Sequence, residues 1–251
     1  MSKAALIGIV VFTLLFSVFA LAMGQSEQFL VGYWPFDEGT GNVTGDASGN
    51  GNDGELIDNP AWVLGKFGSA LEFAGGNYVN VPDSDSLDLT DAATVTCWFK
   101  LTAGLTETTR MISKNNSIFV MFDFGDKATL DLLIKPNNDF VESTTTDWVI
   151  GEWYHFAGTY NGDALRIYIN GVLEGESTGV PPIATSDLEL WIGADDWQLP
   201  NSSFAGAIDD VRFYSAPLAE DEIGALMEGV AAVQMSEDKL PITWGLLKAA
   251  H

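Results

Sequence analysis

AGAIDDVRFYSAPLAEDEIGALM, Ala205 to Met227, is the stretch on which the reading of this chain turns. Its first ten residues alternate as a buried strand does. Ile208, Asp210, Arg212 and Tyr214 fall on one face, and Asp209, Val211 and Phe213 on the other. An acid therefore sits among apolar neighbours, and a carboxylate taken out of water needs a partner, for which this pattern favours a bound cation. After the turn, an amphipathic helix is predicted from near Ala219 to just before Gly229, with Ala219, Ile223, Leu226 and Met227 along one side. Glu220, Asp221 and Glu222 occupy its first turn, where the macrodipole favours negative charge. With the opening segment VGYWPFDEGTG, Val31 to Gly41, this stretch brackets one domain.

Between these brackets, short segments of period-two alternation recur, separated by Gly, Asn and Asp. They read as strands: SALEFAG, NYVNVP, TVTCWFKLT, RMISK, SIFVMFDF, ATLDLLIK, WYHFAGTY, LRIYIN, VLEGES, LELWIG and AIDDVRFY. The expected fold is all-β, a two-sheet antiparallel sandwich closed by one short C-terminal helix. In LRIYI-NG-VLEGE, Asn170-Gly171 supplies the two positive-φ residues of a type I′ hairpin turn. Cys97, the only cysteine, alternates with Val95, Phe99 and Leu101 and reads as a buried small hydrophobe, so the domain folds without an internal disulfide.

The ends of the chain have a different character. Lys3 is followed by an uncharged apolar run from Ala4 to Ala22 and a small-x-small site, so residues 1–24 read as a secretory signal peptide. The run just suffices to cross about 30 Å of hydrocarbon, which keeps an uncleaved anchor open and is the sole membrane connection expected. Residues 25–229 have the length of one domain, and 230–251 lose the strand pattern and read as a weakly ordered tail. With 35 acids against 11 bases the net charge is −24, which argues against nucleic acid as a partner. The acids are dispersed through a chain that is 47% hydrophobic, which argues against disorder.

Five landmarks in fixed order carry a resemblance: YWPFDEGTGN from Tyr33, DASGNGNDGEL from Asp46, GKFGSALEFAGGNYVNVP from Gly65, EWYHFAGTYNGDALRIYINGVLEGE from Glu152, and FAGAIDDVRFYSAPLAEDEI from Phe204. On these the chain resembles the LamG-like jelly-roll group of the concanavalin A-like lectin/glucanase superfamily. The group includes glycan binders, adhesion modules, pentraxin-like recognition proteins and passive accessory domains. The resemblance implies a structural Ca²⁺ tying the N-terminal segment to the last strand. Its ligands would be Asp37 and either Asp209 or Asp210, with backbone carbonyls near Gly39 and Thr40 completing an oxygen shell. One departure from similar sequences is Ala219, where a Ser or Thr N-cap is common opposite a Glu such as Glu222.

For a ligand, the candidates are Trp191, on the outer face of its strand, and the loop ADDWQLPNSS, with Asp195, Asp196, Trp197 and Asn201 as a lip. DASGNGNDG lacks the terminal Glu of an EF-hand and reads as a tight turn. His155 reads as a core or interface histidine, and the E-x-D-x-x-E run of the superfamily's catalytic members does not occur. The expectation is a non-enzymatic module, secreted or in the cell envelope, that recognises glycans or glycoproteins and is stabilised by Ca²⁺. A structural or assembly protein of the envelope is the alternative, and a glycan-cleaving enzyme ranks third.

Overall fold

The computed structural model describes residues 26–105, 107–124, 128–195 and 203–229. The N-terminal leader and the C-terminal tail expected from sequence lie outside them. The described residues form a sandwich of two antiparallel sheets, as the alternation predicts. The first sheet runs β14 (Val172–Ser177), β13 (Leu165–Ile169), β12 (Trp153–Tyr160), β7 (Ala93–Leu101), β16 (Ala205–Tyr214), β5 (Ser69–Ala74) and β4 (Ala61–Leu64). The second runs β11 (Asp139–Glu142), β10 (Ala128–Ile134), β9 (Ile118–Phe124), β8 (Thr109–Lys114), β15 (Leu190–Ile192), β6 (Tyr78–Val81), β3 (Gly54–Ile57) and β2 (Val43–Thr44).

β1 (Leu30–Trp34) pairs with the end of β16, Tyr33 opposite Arg212, while the beginning of β16 pairs with β5, Ile208 opposite Leu71. The two partners share one edge of β16 and leave a gap at Asp209–Asp210. A β-bulge sits there: the register against β7 shifts between Asp209 and Arg212, and Asp210 has φ 54°. This corrects the strict alternation read from sequence, because the extra residue resets the parity. Ile208, Val211 and Phe213 enter the core, while Asp209, Arg212 and Tyr214 share the outer face with Trp98, Thr96 and Thr94 of β7.

Between the sheets lies one apolar layer in which Trp34, Phe73, Phe99, Phe122, Phe156 and Phe213 are fully or almost fully buried. Cys97 is among them with Val95, Phe99 and Leu101, and burial raises its thiol pKa far above that of a reactive cysteine. The helix α1 (Glu220–Met227) packs Ile223, Ala225 and Leu226 against Ala157, Tyr168 and Tyr214 on the outer face of the first sheet. Ala219 is its N-cap and supplies no side-chain bond, but its backbone N–H donates to Glu222 Oε2 at 2.8 Å, so half of a capping box is formed. Asn170 and Gly171 have φ 50° and 76°, as the type I′ turn requires.

Candidate functional site

The outer face of the second sheet presents a continuous transverse row. From strand to strand the register places Leu133, Phe119, Ser113, Trp191, Asn80 and Glu55 opposite one another. A parallel row holds Glu142, Asp131, Met121 and Arg110. The core-facing residues of the same strands, among them Leu130, Val120, Ile112, Leu190 and Val79, are buried between the sheets. Polar residues on an outward face are ordinary. Less so is that Asn80 Oδ1, Asp131 Oδ1 and Trp191 Nε1 are buried without a hydrogen-bond partner in the protein. Buried polar atoms of this kind are ordinarily met by a bound water or a ligand group. Asp131 is 4% exposed, and burial pushes its carboxyl up to about 6.

Beside these rows is a cavity of about 330 Å³ whose lining includes Arg110, Asn115, Asn116, Phe119, Lys135 and Asp195. The Arg110 Nε donates to Asp195 Oδ2 at 2.9 Å. Its guanidinium carbon lies 5.1 Å from the centre of the Phe119 ring, and Lys135 Nζ is 5.6 Å from the same ring. Lys135 is held from both sides through its backbone, its N–H donating to Ser117 and its carbonyl accepting from Ala184. Gly193, at φ 98°, turns the chain out of β15 and brings Asp195 to Arg110. A side chain at Gly193 would place its Cβ 2.4 Å from Phe73 Cδ1.

Of the residues expected at a ligand site, Asp195 lines this cavity, and Trp191 stands on the same sheet face, opposite Ser113. Trp191 stacks on Tyr78, ring centres 4.0 Å apart and 12° from parallel, a pairing that holds the indole in place. Asp196, Trp197 and Asn201 lie outside the described residues. Arg110, Phe119, Asn115 and Lys135 were missed from sequence, since they come from three strand regions that only the register brings together. Trp148 serves the fold. It packs on Phe99, Phe122 and Tyr154 and donates its Nε1–H to Ala128 O at 2.7 Å. His155 is 1% exposed against Trp98, and burial, with Arg212 and Lys66 nearby, lowers its pKa to about 3. It is neutral at physiological pH, in keeping with the core-histidine reading.

A second, smaller cavity of about 170 Å³ fills the gap in β16, and Asp37, Asp209 and Asp210 all line it, with Tyr33, Phe67 and Arg212. Because of the bulge, both acids of the pair reach the same cavity. Asp209 Oδ2 accepts from the backbone amides of Lys66 and Phe67, at 2.8 and 3.0 Å, and Asp37 Oδ1 from Ser69 N at 3.1 Å. The two carboxylates thus clamp the turn that leads into β5. That turn admits no side chain at Gly68, where φ is 50° and a Cβ would lie 1.9 Å from Asp37 Oδ1. Asp210 Oδ1 accepts from Arg212 Nη2 at 3.0 Å, and Arg212 lies over the Tyr33 ring at 4.2 Å.

Asp209 Oδ1 is buried with no partner in the protein. Burial pushes the Asp209 carboxyl up to about 7 against the pull of the two amides, with Asp210 and Asp37 adding to the rise. A cation would supply the missing partner, so the donor set fits one. No group of three Asp, Glu, His or Cys side chains converges to hold a metal among the described residues. An ion here would therefore draw most of its shell from carbonyls and water, which Ca²⁺ accepts. Gly39 and Thr40 are not among the residues lining this cavity.

Two antiparallel sheets packed face to face with one helix on the outer surface make a jelly-roll-type β-sandwich. Residues 73–224 match the family Laminin_G_3, and the chain belongs to the concanavalin A-like lectin/glucanases superfamily. Among solved structures it is similar to domain 4 of AbnA, a GH43 extracellular arabinanase from Geobacillus stearothermophilus, in complex with arabinotriose. The identity is 24% and the TM-score 0.65, over 79% of this chain and 98% of that one. It is also similar to the binding domain of Paraclostridial Mosquitocidal Protein 1, with 16% identity and a TM-score of 0.67 over 81% of this chain. A third is the botulinum neurotoxin serotype D ligand binding domain in complex with N-acetylneuraminic acid, with 16% identity and a TM-score of 0.63 over 83% of this chain. The chain spans about half of each of those two toxin domains, 52% and 53%. At these identities the likeness is one of fold. No curated protein matches the chain in sequence.

Proposed function

We propose that this protein is an extracellular or envelope-borne carbohydrate-recognition module without catalytic activity, whose ligands are glycans or glycoproteins bound on the outer face of the second sheet. The observation that carries this reading is the outer sheet face on which Trp191 and Asn80, and Asp131 in the parallel row, each have a buried polar atom lacking a protein partner, beside an open cavity edged by Phe119. Sugars present hydroxyls for such atoms and C–H faces for aromatic rings, and a largely pre-formed site keeps the ordering cost of binding low. The arabinotriose and N-acetylneuraminic acid complexes of structurally similar domains support it, as does the missing E-x-D-x-x-E run. No helix among the described residues is long and apolar enough to cross a membrane.

The test is a glycan panel read against the purified protein and two variants, Trp191→Ala and Asn116→Gly, the second chosen to keep the positive φ of Asn116 (61°) while removing its amide. Binding by the wild type that each variant weakens at least tenfold, with unchanged melting temperature, is the expected result. Polysaccharide hydrolysis abolished by one Asp or Glu substitution would show an enzyme instead. Silence from the folded protein across the whole panel would leave the structural or assembly role.

A structural Ca²⁺ in the smaller cavity, held by Asp37 and Asp209, completes the proposal. The ion would neutralise the buried Asp209 oxygen and lock the turn before β5 to the last strand. Added Ca²⁺ at a hundred times its dissociation constant stabilises by about 2.7 kcal/mol. Melting curves with Ca²⁺ and with a chelator should therefore separate by several degrees in the wild type and coincide in Asp209→Asn.

A further inference from the structure

Basic residues are scarce in this protein, 11 in 251, yet two of them converge on one aromatic ring at the larger cavity. Arg110 and Lys135 come from different strand regions and stand 5.1 and 5.6 Å from the centre of Phe119, which is itself 7% exposed. Asp195 neutralises Arg110 through its 2.9 Å ion pair. No ion pair of Lys135 is found among the described residues. Its Nζ meets the neutral side-chain oxygen of Asn138. Among the described residues lining the cavity, two cations stand against the single carboxylate of Asp195, on a chain whose net charge is −24. Beside it the Asn115 and Asn116 amides edge the opening. Asn115 is 7% exposed and fixed by a 2.9 Å hydrogen bond that its Oδ1 accepts from Ser113 Oγ.

From this arrangement we infer that the larger cavity selects saccharides bearing a carboxylate, of the uronic or sialic acid class, over their neutral counterparts. The inference rests on the carbohydrate-recognition reading and adds the ligand's charge. The carboxylate would be met by the Lys135 ammonium as a point charge, with Arg110 behind it, held by Asp195 in a fixed orientation. A ligand with one or a few carboxylates fits better than a dense polyanion, because the acidic remainder of the protein repels extended negative charge.

The experiment measures calorimetric affinities of the full-length protein for acidic oligosaccharides of galacturonate, glucuronate, guluronate and sialylated type. Each is paired with its carboxyl-reduced neutral form. The expected result is at least one acidic oligosaccharide bound ten times more tightly than its reduced partner. Lys135→Gln should bring that ratio close to one, and Lys135→Arg should keep it. Lys100→Gln, a change at the other sheet where Lys100 lies 4.8 Å over Trp153, should leave the ratio as in the wild type. Equal affinity for acidic and reduced forms, or a ratio insensitive to Lys135→Gln, would overturn the inference while leaving carbohydrate recognition standing. No binding of either form would overturn the inference, and silence across the whole glycan panel would overturn the recognition reading as well.

Discussion

Replacing Asp46 by Ala should lower the melting temperature by about 10 °C, and do so equally with Ca²⁺ and with a chelator. Asp46 opens the segment DASGNGNDG, whose alternating Asp and Asn could suggest a cation loop. Its oxygens are already committed to the protein. Oδ1 accepts from the backbone N–H groups of Tyr33 and Ser48, both at 2.9 Å, and Oδ2 from Ser48 Oγ at 2.8 Å and Asn52 N at 3.0 Å. The segment thereby seals the edge of β1 that β16 does not pair, helped by Ala47 N to Tyr33 O at 2.8 Å and Asn52 Nδ2 to Val31 O at 2.9 Å. Bonds to a carboxylate contribute about 1.5 to 3 kcal/mol each when buried and less where water can replace them. Asp46 is half-buried, so a total near 3 kcal/mol is reasonable for the four. At about 2–4 °C per kcal/mol for a domain of this size, the shift is about 10 °C. Asp46→Asn keeps one acceptor oxygen and should lose about half as much. Thermal melts of the three proteins in chelator and in Ca²⁺ decide the matter. If Asp46→Ala matched the wild type in chelator and differed only in Ca²⁺, the segment would be a cation loop and the turn argument would fail.

Ala219→Ser should raise the melting temperature by about 2–4 °C, because a hydroxyl would complete the half-formed capping box and add about 1 kcal/mol. No gain would show that the first turn of α1 is frayed in solution. Gly193→Ala should cost about 2–4 kcal/mol, since it combines φ 98° with a 2.4 Å approach to Phe73. Denaturant melts check it, and a change below 1 kcal/mol would refute the packing argument. Asp131→Asn should stabilise at pH 7.5. The folded carboxyl, raised to about 6, binds its proton more tightly than the unfolded one, near 3.9, so the wild type loses stability as pH rises between those values. The advantage of the Asn variant should shrink below about pH 6 and vanish near pH 4, and an advantage constant with pH would contradict it.

What the residues by themselves determined is local. Alternation marked the strands from β5 to β10 and from β12 to β16, Asn170-Gly171 marked its hairpin, and Cys97 was assigned to the core, because each depends on neighbours two to four positions away. Strands β1 to β4 and β11 were not read, since within them apolar and polar residues do not alternate clearly enough to stand out from the Gly- and Asn-rich segments around them. The ordered landmarks did identify the superfamily, whereas the direct pairing of β1 with the last strand came from the structure. The two cavities belong to tertiary structure. Bringing Asp209 and Asp210 to one side needed a bulge whose positive φ no pattern of hydrophobicity announces, and it overturned the face assignment of the very strand that revealed the fold. Gathering Arg110, Phe119 and Lys135 needed the register of three neighbouring strands. Period-two alternation says which face a side chain takes, whereas the residues it meets across that face follow from long-range pairing, set by how the whole core packs.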